Sequence, residues 1–274
     1  MERTKLGKLI ALAMLSCGVA VGGSAYSAPG DDTRSGPAGK ERGKEARDDR
    51  SRSDRQAAQQ GDRYWASDLI GKNVSIAGGG DGEIKDLIVN TETGEVRHAV
   101  TKLGVEKGGE RLYALPLQAF TLGADNNKLS FSDRSALSQR KSWTEDKWPG
   151  MQEREYWGDG SGGPGVHRVS KLIGQDVENA QRKDVGEIKD VVVNLKSQKV
   201  ELVLLEYDPG VTKAEKEYAV PLTAFKFPAT TADGGDGKQR IVFNMSEDQI
   251  KGMKPIGKGD KKRINDPNFM SRVN

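Results

Sequence analysis

Hydrophobic residues in this chain come in short runs broken by glycine, proline and polar pairs, a pattern that predicts strands and tight turns. Ile84, Leu87, Ile88 and Val89 dominate residues 83–90, and Thr93-Gly94 is a turn signal. Val96, His98 and Val100 then share one face of a second run ending near Leu103. Together these predict a β-hairpin. The same signals return at 188–193 and 200–205, around Lys196-Ser197-Gln198. Residues 112–115 and 218–220 predict a further strand in each half, stopped by Pro116 or Pro221. Residues 128–131 and 240–243 predict a last short strand. Ser132 and Ser246 suit N-caps of brief helical turns over 133–138 and 247–251.

These parallels are a repeat. Ser67-Asp68-Leu69-Ile70-Gly71 returns as Ser170-Lys171-Leu172-Ile173-Gly174. Gly82-Glu83-Ile84-Lys85-Asp86 returns as Gly186-Glu187-Ile188-Lys189-Asp190, and Tyr113-Ala114-Leu115-Pro116-Leu117 as Tyr218-Ala219-Val220-Pro221-Leu222. Matched blocks in one order predict a tandem duplication. Each copy is a small domain in the size range that folds alone. Many short strands with little helix predict a small barrel or rolled sheet, whose closure removes exposed edges. The expected fold is mainly β: two tandem small β-barrel domains with short helical turns and a disordered N-terminal tail.

The ordered motifs, in duplicate, resemble the PRC-barrel family, which includes the soluble domain of the photosynthetic reaction-centre H subunit and the C-terminal domain of the ribosome-maturation factor. The resemblance covers both repeats. It implies a small β-barrel used for docking to other macromolecules, with no catalytic motif to carry over. The shared residues have structural readings. Gly71 and Gly174 suit a turn into the first strand, and Gly82 and Gly186 a tight turn before the second. Asp86 and Asp190 suit the satisfaction of backbone groups at a strand or turn. The functional alternative is an acidic docking edge of Glu83, Asp86, Glu187 and Asp190.

The chain ends read differently. Arg3, Lys5 and Lys8 precede an apolar run from Leu9 to Val21, and Ala25-Tyr26-Ser27 offers a cleavage site. This predicts a secretory signal over 1–27, with an uncleaved anchor as the alternative. The sole cysteine, Cys17, lies inside it, so cleavage leaves no thiol and no disulfide framework. Met14-Leu15-Ser16-Cys17-Gly18 faintly resembles a lipobox, which makes Cys17 a candidate lipidation site. The whole chain carries +3; losing the leader leaves about +1, too weak a field for a nucleic-acid footprint. Residues 28–62 lack large apolar side chains, which predicts a disordered, charge-mixed tail.

The expected domains are therefore 63–141 and 170–256, joined by a linker over 142–169 and followed by a solvated basic tail over 257–274. The linker holds Trp143, Trp148, Tyr156 and Trp157, and Trp65 precedes the first domain. These tryptophans have two readings: packing on the barrels, or a partner-binding or membrane-interface patch. His98 aligns with Leu202, which favours packing over metal ligation. His167 stands alone in the linker, and no zinc ligand set is evident. The glycine-rich stretches 78–82 and 233–237 match neither a phosphate loop nor an EF-hand. No nucleophile has an identifiable base. Neither an enzyme nor a cofactor is expected. The expected role is a docking module of the bacterial envelope with a protein partner, no nucleic acid and possible peripheral membrane contact; a small-ligand-binding or stress-protective periplasmic protein is the alternative.

Overall fold

The computed structural model describes residues 61–77, 79–105, 109–122, 128–133, 137–158, 164–208, 210, 214–229 and 240–273. All lie in one compact unit, Arg50–Asn274. The expected signal, Cys17, nearly all of the charged tail, the stretch 233–237 and residues 134–136 of the expected turn after Ser132 fall outside the described residues.

The first half runs β1 (Arg63–Trp65), α1 (Ala66–Leu69), β2 (Asn73–Ile76), β3 (Asp81–Asn90), β4 (Val96–Val105), β5 (Gly109–Pro116), β6 (Phe120–Leu122) and β7 (Lys128–Phe131). After α2 (Arg154–Trp157) the series repeats as β8 (Val166–Arg168), α3 (Val169–Leu172), β9 (Asp176–Asn179), β10 (Asp184–Asn194), β11 (Lys199–Tyr207), β12 (Lys216–Pro221), β13 (Phe225–Lys226) and β14 (Ile241–Phe243). Three short helices follow: α4 (Glu247–Gly252), α5 (Lys258–Lys261) and α6 (Phe269–Val273). Ser246 caps α4 through a reciprocal capping box with Gln249. The molecule is mainly β, built on two curled sheets.

The two sheets have the same strand order, β5-β4-β3-β2-β7-β6 and β12-β11-β10-β9-β14-β13, with one parallel pairing each, β2 with β7 and β9 with β14. The seventh strand of each sheet comes from the other repeat. β1 pairs antiparallel with β10, setting Tyr64 opposite Val193 and Trp65 opposite Val192. β8 pairs antiparallel with β3, setting His167 opposite Val89 and Arg168 opposite Ile88. Each repeat thus lends its leading strand to its sibling, and the short helix that follows packs there too, α1 on β10 and α3 on β3. The hairpin turns also join, through Glu95 bridging Lys199 and the Val200 N–H donating to the Gly94 carbonyl at 2.8 Å.

A bulge sets the chemistry of the central strands. The β3–β4 register shifts between Ile84 and Asp86, and the β10–β11 register between Ile188 and Asp190. One extra residue inverts the period-2 alternation. Ile84 and Leu87 therefore both point into the main core, while Asp86 and Ile88 turn to the outer face. The main core draws on both repeats, from Leu69, Ile84 and Phe131 to Leu172, Ile188 and Phe243.

Gly71 and Gly174 have φ of +89° and +84° at the turns into β2 and β9, as expected. Gly82 and Gly186 do not form turns but lie inside β3 and β10. A Cβ on Gly186 would stand 1.9 Å from the Glu206 carbonyl oxygen, so close backbone approach is what requires glycine there. The expected solvated tail is also corrected: Ile264 and Phe269 are buried with Ile256 and Trp65 against the outer face of the second sheet.

Candidate functional site

Asp86 and Asp190 hold the exchange together. Helices α1 and α3 have no local side-chain cap. Instead the Ser67 N–H and O–H donate to Asp190 at 3.2 and 2.5 Å, and the Ser170 N–H and O–H donate to Asp86 at 3.0 and 2.5 Å. Each carboxylate also accepts the next N–H of its own strand, from Leu87 or Val191. A carboxylate from one repeat thus supplies the missing cap of the other's first helical turn. The proposed acidic edge is not formed, because Asp86 and Asp190 are both buried. Glu83 and Glu187 pair with Lys85 and Lys189.

The two caps differ in one respect. Arg168 donates from Nε to Asp86 at 2.8 Å, giving a buried ion pair. Trp65 occupies the equivalent position in the other half and supplies no charge. Burial, the largest effect on Asp190, raises its pKa above the ordinary carboxylate value, against the lowering by its Ser67 and Val191 hydrogen bonds.

The tryptophans are mostly interior, which corrects their reading as a partner patch. Trp143 and Trp157 join Met151 and Val166 over Ile88, Val100, Leu112 and Ala114, covering the outer face of the first sheet. Trp65 is buried with the C-terminal segment on the second. Trp148 is half-buried, its ring 3.4 Å from the Arg168 guanidinium. Residues 143–157 form a strap. It is hydrogen-bonded to the β5 edge through Leu112 and Trp143, and within it the Trp157 indole N–H donates to the Gly150 carbonyl at 2.9 Å.

His98 lies under this strap, with its ring centroid 6.4 Å from Trp157. Burial first, then Arg140 and Arg97, lower its pKa to about 4. His167 is separate: its Nε2 lies 3.2 Å from the Pro228 carbonyl, and burial lowers its pKa. Among the described residues no group of histidine, cysteine or carboxylate side chains could hold a metal ion. None of the described helices is long and apolar enough to cross a membrane.

Where the hairpin of the first repeat meets the second, an open cleft of about 570 Å³ remains. One wall is Thr91 to Gly94 with Gly165, and the other is Pro221, Leu222, Phe225, Lys226 and Phe227. Glu92 and Lys226 are exposed at its sides, while Glu201 is engaged by Arg63 at 2.5 Å. The cleft exists only because the repeats interlock: Gly165 is placed by Thr91, whose N–H and O–H donate to its carbonyl at 2.7 and 3.0 Å.

The family description PRC-barrel domain matches residues 164–249. The second repeat is a PRC-barrel domain. The first PRC-barrel-like repeat shares its strand order, its bulge and its capping aspartate. That domain type suggests a non-enzymatic protein-interaction module. No curated protein matches the chain.

Of the residues singled out in the sequence, Gly71, Gly174, Pro116 and Pro221 shape the strand ends. Asp86 and Asp190 join the repeats, and Trp65, Trp143 and Trp157 build the outer layers. The cleft residues Glu92, Lys226 and Phe227 were missed. The signal that could find them is the Pro-Leu motif of the PRC-barrel repeat, since Pro221 and Leu222 line the cleft.

Proposed function

We propose that this chain is a docking scaffold of the bacterial cell envelope, in which two interlocked PRC-barrel repeats receive a protein partner in the cleft at their junction. The carrying observation is the cleft itself: concave, walled by Leu222, Phe225 and Phe227, and flanked by exposed charges of both signs at Glu92 and Lys226. Such a site offers apolar burial for an inserted side chain and polar groups that fix its register. The crossed strands and buried caps support a rigid junction, which lowers the entropic cost of binding. The apolar leader over 9–21 and the single cysteine within it support export to the periplasm, or lipid anchoring through Cys17.

The test is photo-crosslinking in cells from Thr223, at the cleft, and from Gln152, exposed on the strap, followed by purification from the envelope fraction. A partner captured from Thr223 and lost in the Lys226→Glu, Phe227→Ala double variant supports the reading. Capture from Gln152 alone, or from neither site, refutes it. The cleft volume also suits a small ligand. In that reading a metabolite raises the melting temperature of the wild type and leaves the double variant unchanged.

A further inference from the structure

The outer layers of the two repeats form an internal comparison. On the second sheet, Leu202 is covered by Ile256, Ile264 and Phe269, and the Trp65 indole N–H donates to the Lys261 carbonyl at 3.0 Å. On the first sheet, His98 stands where Leu202 stands, covered by the strap. Among the described residues, only His98 Nδ1 and Trp143 Nε1 are buried side-chain polar atoms without a hydrogen-bond partner. Both lie in this one layer. A buried polar atom left unpaired weakens the interface that buries it, because opening returns it to water.

We propose that residues 143–157 are an acid-released strap: protonation of His98 detaches them from the first sheet and uncovers Ile88, Val100, Leu112 and Ala114. The surroundings of His98 leave a proton uncompensated. From β4 the neighbouring charge is Arg97, itself paired to Glu95 at 3.1 Å, and from the chain ahead of the strap it is Arg140. Across the sheet the neighbours are Ile88 on β3 and Pro116 on β5, and the strap presents Trp157. Asp86 and Arg168, in the same outer layer, neutralise one another. The charges bearing on the ring are thus cationic, and an added proton gains hydration only when the strap lifts.

The direction follows from linkage. The closed layer holds the imidazole pKa at about 4, below its ordinary 6.5. The open form therefore binds protons more tightly, and opening is favoured as pH falls from 6.5 through 4. The opening equilibrium shifts about 30-fold between neutral pH and pH 5, and about 300-fold once both forms are protonated. This device does not depend on the cleft or on the partner assigned to it.

The experiment is hydrogen exchange by mass spectrometry on the full chain at pH 7.5, 5.0 and 4.0, corrected for intrinsic rates, with tryptophan fluorescence in parallel. Wild type is compared with His98→Leu, which copies Leu202, and His98→Gln, which keeps polarity without titrating. The expected result is an approximately 30-fold loss of protection in 143–157 at pH 5, with 256–269 unchanged and both variants insensitive to pH. The proposal is overturned if the wild-type strap stays protected, if both outer layers lose protection together, or if either variant opens with acid as wild type does.

Discussion

The crossed carboxylates allow one perturbation to be made twice in the same molecule. Asp86→Asn and Asp190→Asn remove the same charge from equivalent positions of the two bulges. At Asp86 the substitution strands Arg168, only 15% exposed and deprived of its anion. Removing one member of a buried pair costs about 3–5 kcal/mol. At Asp190 there is no cation to strand. An asparagine there keeps an acceptor for the Ser67 and Val191 N–H groups and can donate to the Ser67 hydroxyl. It also removes a carboxylate whose burial makes ionisation unfavourable: the raised pKa means the folded state holds its proton more tightly, so the charged form weakens folding as pH rises through that pKa. The expected loss is about 1 kcal/mol or less. Urea unfolding at pH 7.5, monitored by fluorescence and circular dichroism, measures both. At about 2–4 °C per kcal/mol for a chain of this size, Asp86→Asn lowers Tm by about 6–20 °C and Asp190→Asn by at most about 4 °C. Equal losses, or a larger loss at Asp190, would refute the assignment of the Arg168 pair.

Three further outcomes follow from the interlocking and the packing. Separately expressed fragments 28–158 and 164–274 each lack the strand that completes their sheet; neither should melt cooperatively alone, mixing should restore a single transition, and a cooperative melt of either alone refutes the exchange. Phe269→Ala removes a fully covered ring from the layer over the second sheet and should cost about 3–5 kcal/mol by urea unfolding; a loss below about 1 kcal/mol would return 257–274 to the status of a solvated tail. Gly174→Ala meets open space and bears only the left-handed backbone penalty of about 1–2 kcal/mol, whereas Gly186→Ala drives a methyl into the Glu206 carbonyl and should prevent soluble expression; comparable yields and melting temperatures would contradict the close approach.

Much of the fold was legible because it is written locally. Period-2 runs, Thr93-Gly94, Pro116 and Pro221 marked the strands and their ends, and matched blocks revealed the duplication. What stayed hidden depends on partners far away in sequence. Nothing near Asp190 indicates that it will meet Ser67, 123 residues earlier. The recurrence of a serine before each Leu-Ile-Gly and an aspartate in each bulge was the available clue. Exchange of β1 and β8 is equally non-local, and it draws β8 out of what reads as linker into the sheet of the other repeat. The tryptophans kept two readings, packing or partner patch, because a glycine-rich linker gives no sign of the sheet face beneath it. The C-terminal segment looked solvated because Ile264 and Phe269 are sparse among Lys258, Lys261, Lys262 and Arg263; two well-spaced apolar side chains suffice to dock a short segment when an apolar face awaits it.

Reciprocal exchange also explains where the copies were free to diverge. The residues that make the crossing work are the same in both halves: the bulge, the aspartate, the serine it caps and the glycine of the following turn. A change in one of these breaks contacts in the opposite repeat as well as its own. The outer layers are less constrained: apart from the exchanged Trp65 and Val166, each is closed by a segment that follows its own repeat. There the halves differ: Arg168 against Trp65, His98 against Leu202, and a tryptophan strap against Ile256, Ile264 and Phe269. The segment covering the second layer is apolar and its indole is paired; among the described residues, the first layer holds a buried imidazole and both buried side-chain polar atoms without a partner. The duplication thus separates a shared, symmetric junction from one outer layer optimised for stability and another left responsive to protons.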